Sequence, residues 1–240
     1  MVYAVSDLHG CYDKFRKLPE MIRLTDDDVL YVLGDVVDRG AENVRLISEL
    51  ASRRNIVTLL GNHDYLAKLL LPIFGLPDEE LSPVQKRNKK KLTEGVGEAK
   101  GFFEAWREDG GETTWQEFIR LSLPEKRVIL RFLENRPLFA EIEAGGKRYF
   151  LSHTVPEKEK MLNEDRRSAT DFLFARPEYD TLYFPDKILV TGHTPTDLID
   201  PSFTGRILRK NNHIAIDCGA VFGNPLGCIC LDTGEEYYAE

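Results

Sequence analysis

Short runs of apolar and β-branched residues alternate with segments whose apolar positions recur every three or four residues. Residues 3–6, 29–33 and 56–60 predict three strands. Between them, Phe15, Leu18, Met21 and Ile22 predict a helix over 13–22, and Val44, Ile47 and Leu50 share a second helical face. Residues 65–71 predict a third helix, ended by Pro72. Three strand-loop-helix passages in succession imply strands covered by helices.

The pattern then changes. Residues 78–135 carry almost no alternation, and predict three or four helices punctuated by Gly95, Gly97, Gly110-Gly111 and Pro124. Leu121, Val128, Ile129, Phe132 and Leu133 would supply their apolar faces. This stretch is expected to be a helical cap inserted into a single domain spanning 1–240. Strands return at 138–143 and 148–152, joined across Gly145-Gly146, a hairpin signal. A helix is expected over 163–174, then strands at 187–191, 213–217, 227–231 and 236–239. The resulting fold class is α/β, a two-sheet sandwich flanked by helices, with the strand order left open.

Polar residues concentrate where apolar runs end. Asp7 and His9 follow the first strand, Asp35 the second, Asn62 and His63 the third, His153 and His193 two later ones. Successive strand ends can deliver such side chains to one crevice. Any one of these histidines alone reads equally well as a satisfied loop or core residue; their joint placement does not. His213 lacks polar company and reads as structural. A mixed carboxylate, amide and imidazole set suits Mn²⁺, Fe or Zn²⁺ better than Ca²⁺ or Mg²⁺. Gly10, Gly34, Gly40, Gly61 and Gly192 neighbour these residues, where turns are tight.

Composition narrows the partners. A formal charge of −8 disfavours non-specific attraction to nucleic acid or anionic membrane, and no base-reading module is present. No apolar run approaches the roughly 20 residues of a membrane span, and no signal core opens the chain, so a cytoplasmic location is expected. Cys11, Cys218, Cys228 and Cys230 form no Cys-x-x-Cys pair and read as buried thiols.

At these positions the chain resembles the phosphoprotein phosphatase branch of the calcineurin-like metallophosphoesterases. The resemblance rests on Asp7-Leu8-His9-Gly10, Gly34-Asp35-Val36-Val37-Asp38-Arg39-Gly40, Gly61-Asn62-His63-Asp64, His153, Gly192-His193-Thr194 and Ile216-Asp217-Cys218-Gly219-Ala220, in that order. It implies two metal ions, with Mn²⁺ the leading candidate and Fe or Zn²⁺ the alternatives. Asp7 and His9 would hold one ion, Asn62, His153 and His193 the other, and Asp35 would bridge them. A metal-bound hydroxide would attack phosphorus directly. His63 would protonate the leaving oxygen, oriented by Asp38. Asp64 reads equally as a hydrogen-bond acceptor behind the site or as a cap. Arg39 would clamp phosphate. Arg176, in Leu173-Phe174-Ala175-Arg176, resembles a second clamp, with Phe174 where a tryptophan is usual.

Departures from the family pattern bear on substrate. Leu60 stands where many protein phosphatases have arginine, and Asp64 where they have glutamate, a form also similar to symmetrical bis(5′-nucleosyl)-tetraphosphate hydrolases. Gly192-His193-Thr194-Pro195 lacks the second histidine of the broader family, which disfavours nuclease and cyclic-nucleotide phosphodiesterase branches. The implied function is phosphomonoester hydrolysis of the serine/threonine phosphatase kind, on a phosphorylated protein, peptide or small phosphate ester. Symmetrical cleavage of Ap4A to two ADP is the enzymatic alternative, and an inactive phosphate-binding scaffold the non-enzymatic one. The run Lys86 to Lys91 reads as a solvated helix face, and Trp106, Trp115, Phe102, Phe103 and Phe118 as packing between helices rather than a base-stacking platform.

Overall fold

The computed structural model describes residues 1–94 and 98–240, so the predicted breaks at Gly95 and Gly97 lie outside the described residues. Its strands are β1 (Val2–Val5), β2 (Val29–Val32), β3 (Ile56–Thr58), β4 (Phe139–Ala144), β5 (Lys147–Ser152), β6 (Ile188–Thr191), β7 (Leu208–Lys210), β8 (His213–Ala215), β9 (Leu226–Cys230) and β10 (Glu236–Ala239). They form two sheets, ordered β10-β9-β1-β2-β3 and β4-β5-β6-β8-β7. Each holds three adjacent parallel strands, β1-β2-β3 in one and β5-β6-β8 in the other, with antiparallel strands at the flanks. The architecture is α/β, two mixed sheets flanked by helices.

Alternation along the strands explains the layering. In β1, Tyr3 and Val5 face an outer cluster while Ala4 faces a second cluster with Leu33, Leu59, Leu151, Val190 and Ile229, drawn from both sheets. In β5, Tyr149 and Leu151 join that inner cluster, and Phe150 joins a third with Phe172, Tyr183 and Leu189. Strands covered on both faces read as nearly continuous apolar runs, which is how they are written here.

The main helices are α1 (Asn43–Ser52), α2 (Asn62–Gly75), α3 (Pro83–Thr93), α4 (Glu98–Trp106), α5 (Glu112–Ile119) and α6 (Leu123–Glu134). Phe118, Ile129, Phe132 and Leu133 enter the same outer cluster as Leu46 and Ile47 of α1, Leu70 and Leu71 of α2, and Val32 of β2. Val128, expected on the apolar face, is exposed. No helix among the described residues is long and apolar enough to cross a membrane.

Three helical expectations need correction. Residues 13–22 form two short turns, Tyr12–Phe15 and Leu18–Met21, because Pro19 lacks the amide that a continuous helix requires. Pro72 does not end α2, which runs to Gly75; burial of Leu70, Leu71 and Ile73 outweighs the one missing hydrogen bond. The expected helix over 163–174 shrinks to Asp171–Phe174, since most of 163–170 is exposed and has no apolar face to bury. The unpredicted strand β7 pairs with β8 across Asn211-Asn212, both at positive φ, the conformation of a tight hairpin turn. Gly145-Gly146 turns β4 into β5 as expected.

His213 is structural, as read. It is buried, its Nε2 lies 2.8 Å from Thr191 Oγ1, and its ring stacks on Tyr179 at 5.0 Å. Burial pushes its pKa down to about 3. Unfolded histidine titrates near 6.5, so this contribution to stability is complete above about 6.5 and is lost as pH falls toward about 3. We expect His213→Phe to take up about one proton fewer on unfolding near pH 5, read from the pH dependence of the denaturant midpoint.

Candidate active site

The parallel strands deliver the polar residues at their carboxyl ends, on loops held in uncommon backbone conformations. Of the nine non-glycine residues at positive φ among those described, six are Asp7, His9, Asp35, Asp38, Arg39 and His193. Such strain persists only where the surroundings enforce it, and it gathers at functional sites. Gly61 shows the enforcement: a Cβ there would strike the backbone nitrogen and carboxylate of Asp35. At Gly192 a Cβ would strike Ser6 and the Asp7 carboxylate.

Asp35 occupies the centre. Its Oδ1 accepts from the His63 amide at 2.9 Å, in the first turn of α2, where the helix dipole favours negative charge. Its Oδ2 lies 3.7 Å from His9 Nε2 and 3.5 Å from His153 Nε2. Backbone carbonyls set both tautomers: His9 Nδ1 donates to Val37 O at 2.8 Å, and His153 Nδ1 donates to Leu33 O at 2.9 Å. The Nε2 lone pairs therefore point inward. His153 Nε2 also meets Asn62 Oδ1 at 2.9 Å and His193 Nδ1 at 3.1 Å. Two groups that could hold a cation result, His9 with Asp35 and His63, and Asp35 with His153 and His193. Asp7 falls outside both; its Oδ2 accepts from Ser6 Oγ at 2.5 Å and from the His193 amide at 2.9 Å.

The charges also fit cations. Burial raises the Asp7 carboxyl to about 6 against the pull of His153, with Asp35 adding repulsion. Burial and Asp35 lift Asp64 to about 7, and burial and Asp7 lift Asp217 well above the carboxylate range. Asp35 itself stays well below that range, because the surrounding imidazoles outweigh its burial. Burial holds His9 and His193 near 3, neutral and able to ligate. A crowd of buried carboxyls beside neutral imidazoles is an arrangement that divalent cations relieve.

His63 and Asp38 form a second unit. His63 Nδ1 lies 2.8 Å from Asp38 Oδ2, and both are buried. Burial opposes the charged imidazole, but Asp35 and Asp38 outweigh it and raise His63 to about 9. Arg39 donates to His9 Nε2 at 2.7 Å and to His63 Nε2 at 2.9 Å. The second contact requires a neutral imidazole, so Arg39 must turn away before His63 Nε2 can carry a proton.

Sequence reasoning missed what holds Asp38. Trp106 Nε1 donates to Asp38 Oδ2 at 2.7 Å, and Thr114 Oγ1 donates to Oδ1 at 2.6 Å while accepting from the Asp38 amide at 2.9 Å. Trp106 is buried, as expected of a packing residue, yet its indole also anchors the dyad. We expect Trp106→Phe to destabilise the fold by about 1–3 kcal/mol, as loss of a buried donor does, and to lower kcat more than it changes KM. Denaturant titration and steady-state kinetics check this.

Asp64 serves both of its readings: Oδ2 accepts from the Gly61 amide at 3.2 Å, capping α2, and Oδ1 accepts from Val36 at 3.0 Å and Val37 at 3.3 Å. Arg176 is exposed and close enough to His193 to disfavour protonation there. The basic run lies on α3, where no residue is buried and Lys89 pairs with Asp78.

The strand ends of the two sheets thus bring two groups that could hold a cation together on the Asp35 carboxylate. Residues 1–220 match the model of the calcineurin-like phosphoesterase family, and the chain belongs to that family; it is a metal-dependent phosphoesterase. It is similar to a protein of Xanthomonas campestris pv. campestris named symmetrical bis(5′-nucleosyl)-tetraphosphatase, 28% identical over 269 residues, covering 98% of this chain and 80% of that one. A Geobacillus thermodenitrificans protein named bis(5′-nucleosyl)-tetraphosphatase PrpE (asymmetrical) is 26% identical over 251 residues, 92% of this chain and 86% of that protein. A Buchnera aphidicola protein also named symmetrical bis(5′-nucleosyl)-tetraphosphatase is 42% identical over 64 residues, which span only 26% of this chain and 23% of that protein. Among solved structures, a protein serine/threonine phosphatase from Saccharomyces cerevisiae superposes with a TM-score of 0.57 at 15% identity, covering 100% of this chain and 79% of that one, a likeness of fold.

Proposed function

We propose that this protein hydrolyses phosphomonoesters in the manner of a serine/threonine protein phosphatase, using a pair of cations that its two ligand groups would hold. The observation that carries the reading is the His63 and Asp38 pair set beside Arg39, with His63 within reach of His9 and Asp35 but tied through Nδ1 to Asp38, which suits an acid rather than a ligand. His9, Asp35 and, by family resemblance, Asp7 would hold one ion, and Asp35, Asn62, His153 and His193 the other. The mixed nitrogen and oxygen donors suit Mn²⁺, Fe or Zn²⁺, and the family resemblance puts Mn²⁺ first. When bound, such ions supply Lewis acidity that acidifies water and draws charge from phosphate oxygens.

The chain's own residues supply the rest. Arg39 turns from the imidazoles to clamp phosphate oxygens, which a guanidinium contacts in pairs. Arg176, at the rim near His193, is a second candidate clamp. His63 gives its Nε2 proton to the departing oxygen, and Asp38 fixes the ring and favours its charged form. No serine or cysteine nucleophile is required. We read residues 78–135 as a helical insertion within a single domain, which supports the dyad through Trp106 and Thr114.

A second reading is hydrolysis of Ap4A, supported by the names of relatives matched over most of this chain. Side-by-side kcat/KM values on phosphoserine, phosphothreonine and phosphotyrosine peptides and on Ap4A separate the two. We expect the serine/threonine peptides to lead, and a large preference for Ap4A yielding two ADP overturns that order. Chelation is expected to abolish turnover on every substrate, with Mn²⁺ restoring it; a rate indifferent to chelators sinks the mechanism.

A further inference from the structure

We propose that Asp109 is a specificity-determining residue, whose carboxylate beside His63 Nε2 makes the leaving-group side of the site discriminate against leaving groups that carry negative charge. The inference rests on the reading of His63 as the acid that meets the departing oxygen.

The placement of Asp109 is built into the fold. It lies on the kinked turn Arg107–Gly111 between α4 and α5, where Gly110 takes φ 107°. Gly110 O accepts from the Arg39 amide at 2.9 Å and from Thr113 Oγ1 at 3.1 Å. On either side of the turn, Trp106 and Thr114 are fastened to Asp38. The turn is therefore docked onto the loop that carries Asp38 and Arg39. Asp109 itself is 61% exposed, with Oδ2 3.6 Å from His63 Nε2 and Oδ1 3.3 Å from Arg39 Nη2. It contributes nothing to the apolar core, yet it stands at the one atom a leaving oxygen must approach.

That position has a chemical consequence. A serine or threonine oxygen, once protonated, leaves as a neutral alcohol and meets no repulsion from the carboxylate. A departing phosphate or nucleotide keeps its negative charge and must pass within a few ångströms of Asp109, where like charges repel. Solvent screens an exposed carboxylate, so the expected discrimination is about ten-fold rather than thousands. A plain salt-bridge role, parking Arg39, would instead affect all phosphate substrates alike, since every one of them needs that guanidinium.

The test compares wild type, Asp109→Asn and Glu108→Gln on a phosphoserine peptide and on Ap4A, with thermal melts to establish folding. For Asp109→Asn, the ratio of kcat/KM on Ap4A to that on the peptide should rise about ten-fold. For Glu108→Gln, whose acid lines a separate groove with Glu104, Arg107 and Glu112, the ratio should stay within about two-fold. A ratio unchanged in Asp109→Asn, or rates altered equally on both substrates, overturns the proposal. Calorimetry with inorganic phosphate and inorganic diphosphate gives a readout independent of turnover: Asp109→Asn should tighten diphosphate more than phosphate, and equal tightening overturns the proposal. Absence of turnover by wild type on every phosphate ester would instead count against the phosphoesterase mechanism, and the binding comparison would still decide the role of Asp109.

Discussion

Replacing Asp35 with asparagine is expected to lower kcat by about 10³-fold or more, equivalent to about 4 kcal/mol of barrier, and to reduce bound metal at both positions. Asp35 is the only residue common to both ligand groups. An asparagine keeps the size and can still accept from the His63 amide, but carries no charge to hold two cations. The metal-stripped variant should melt lower than metal-stripped wild type at neutral pH, because the depressed carboxyl of Asp35 means that the surrounding imidazoles favour its charge in the folded state by more than burial and the neighbouring acids oppose it. Metal analysis after gel filtration, kinetics and calorimetric melts report these effects together. Unimpaired turnover in Asp35→Asn would contradict the mechanism outright.

For His63→Asn we expect the opposite division, with metal content close to wild type and kcat lower by about 10²–10⁴-fold, the range over which a positioned general acid acts. The loss should shrink on p-nitrophenyl phosphate, whose leaving group departs readily without a proton. The pH profile gives a further check. His63 is raised to about 9, so it is charged below that value and loses its proton as pH rises through it. Cations at Asp35 offset the carboxylate that supports this charge, so the alkaline limb in the loaded enzyme should fall between about 6.5 and about 9. In His63→Asn that limb should vanish, and its persistence would assign it to another group.

The two variants separate the parts of the site that were legible in the sequence. Asp7, His9, Asp35, Asn62, His63, His153 and His193 each follow a short apolar run within a few residues, so local pattern placed them at strand ends. The expectation of a sandwich with flanking helices rested on the same local periodicity. Where local rules misled, packing or chain chemistry was the cause. Pro72 stayed inside α2 because its neighbours are buried, while 163–170 stayed irregular because its residues are not.

The sequence by itself determined most of the strands and the candidate ligands, because strand period and turn residues act over a few residues, while the His63 and Asp38 pair came from the family resemblance. Only the tertiary structure decided the strand order, the seating of Arg39 between His9 and His63, and the grip of Trp106 and Thr114 on Asp38 from 68 and 76 residues away. It alone brought Asp109 to the leaving-group side. Such contacts depend on which face of α4 and α5 meets the sheet, and no local pattern carries that choice, since an indole or a hydroxyl facing the core reads like any other packed residue until its buried partner is known.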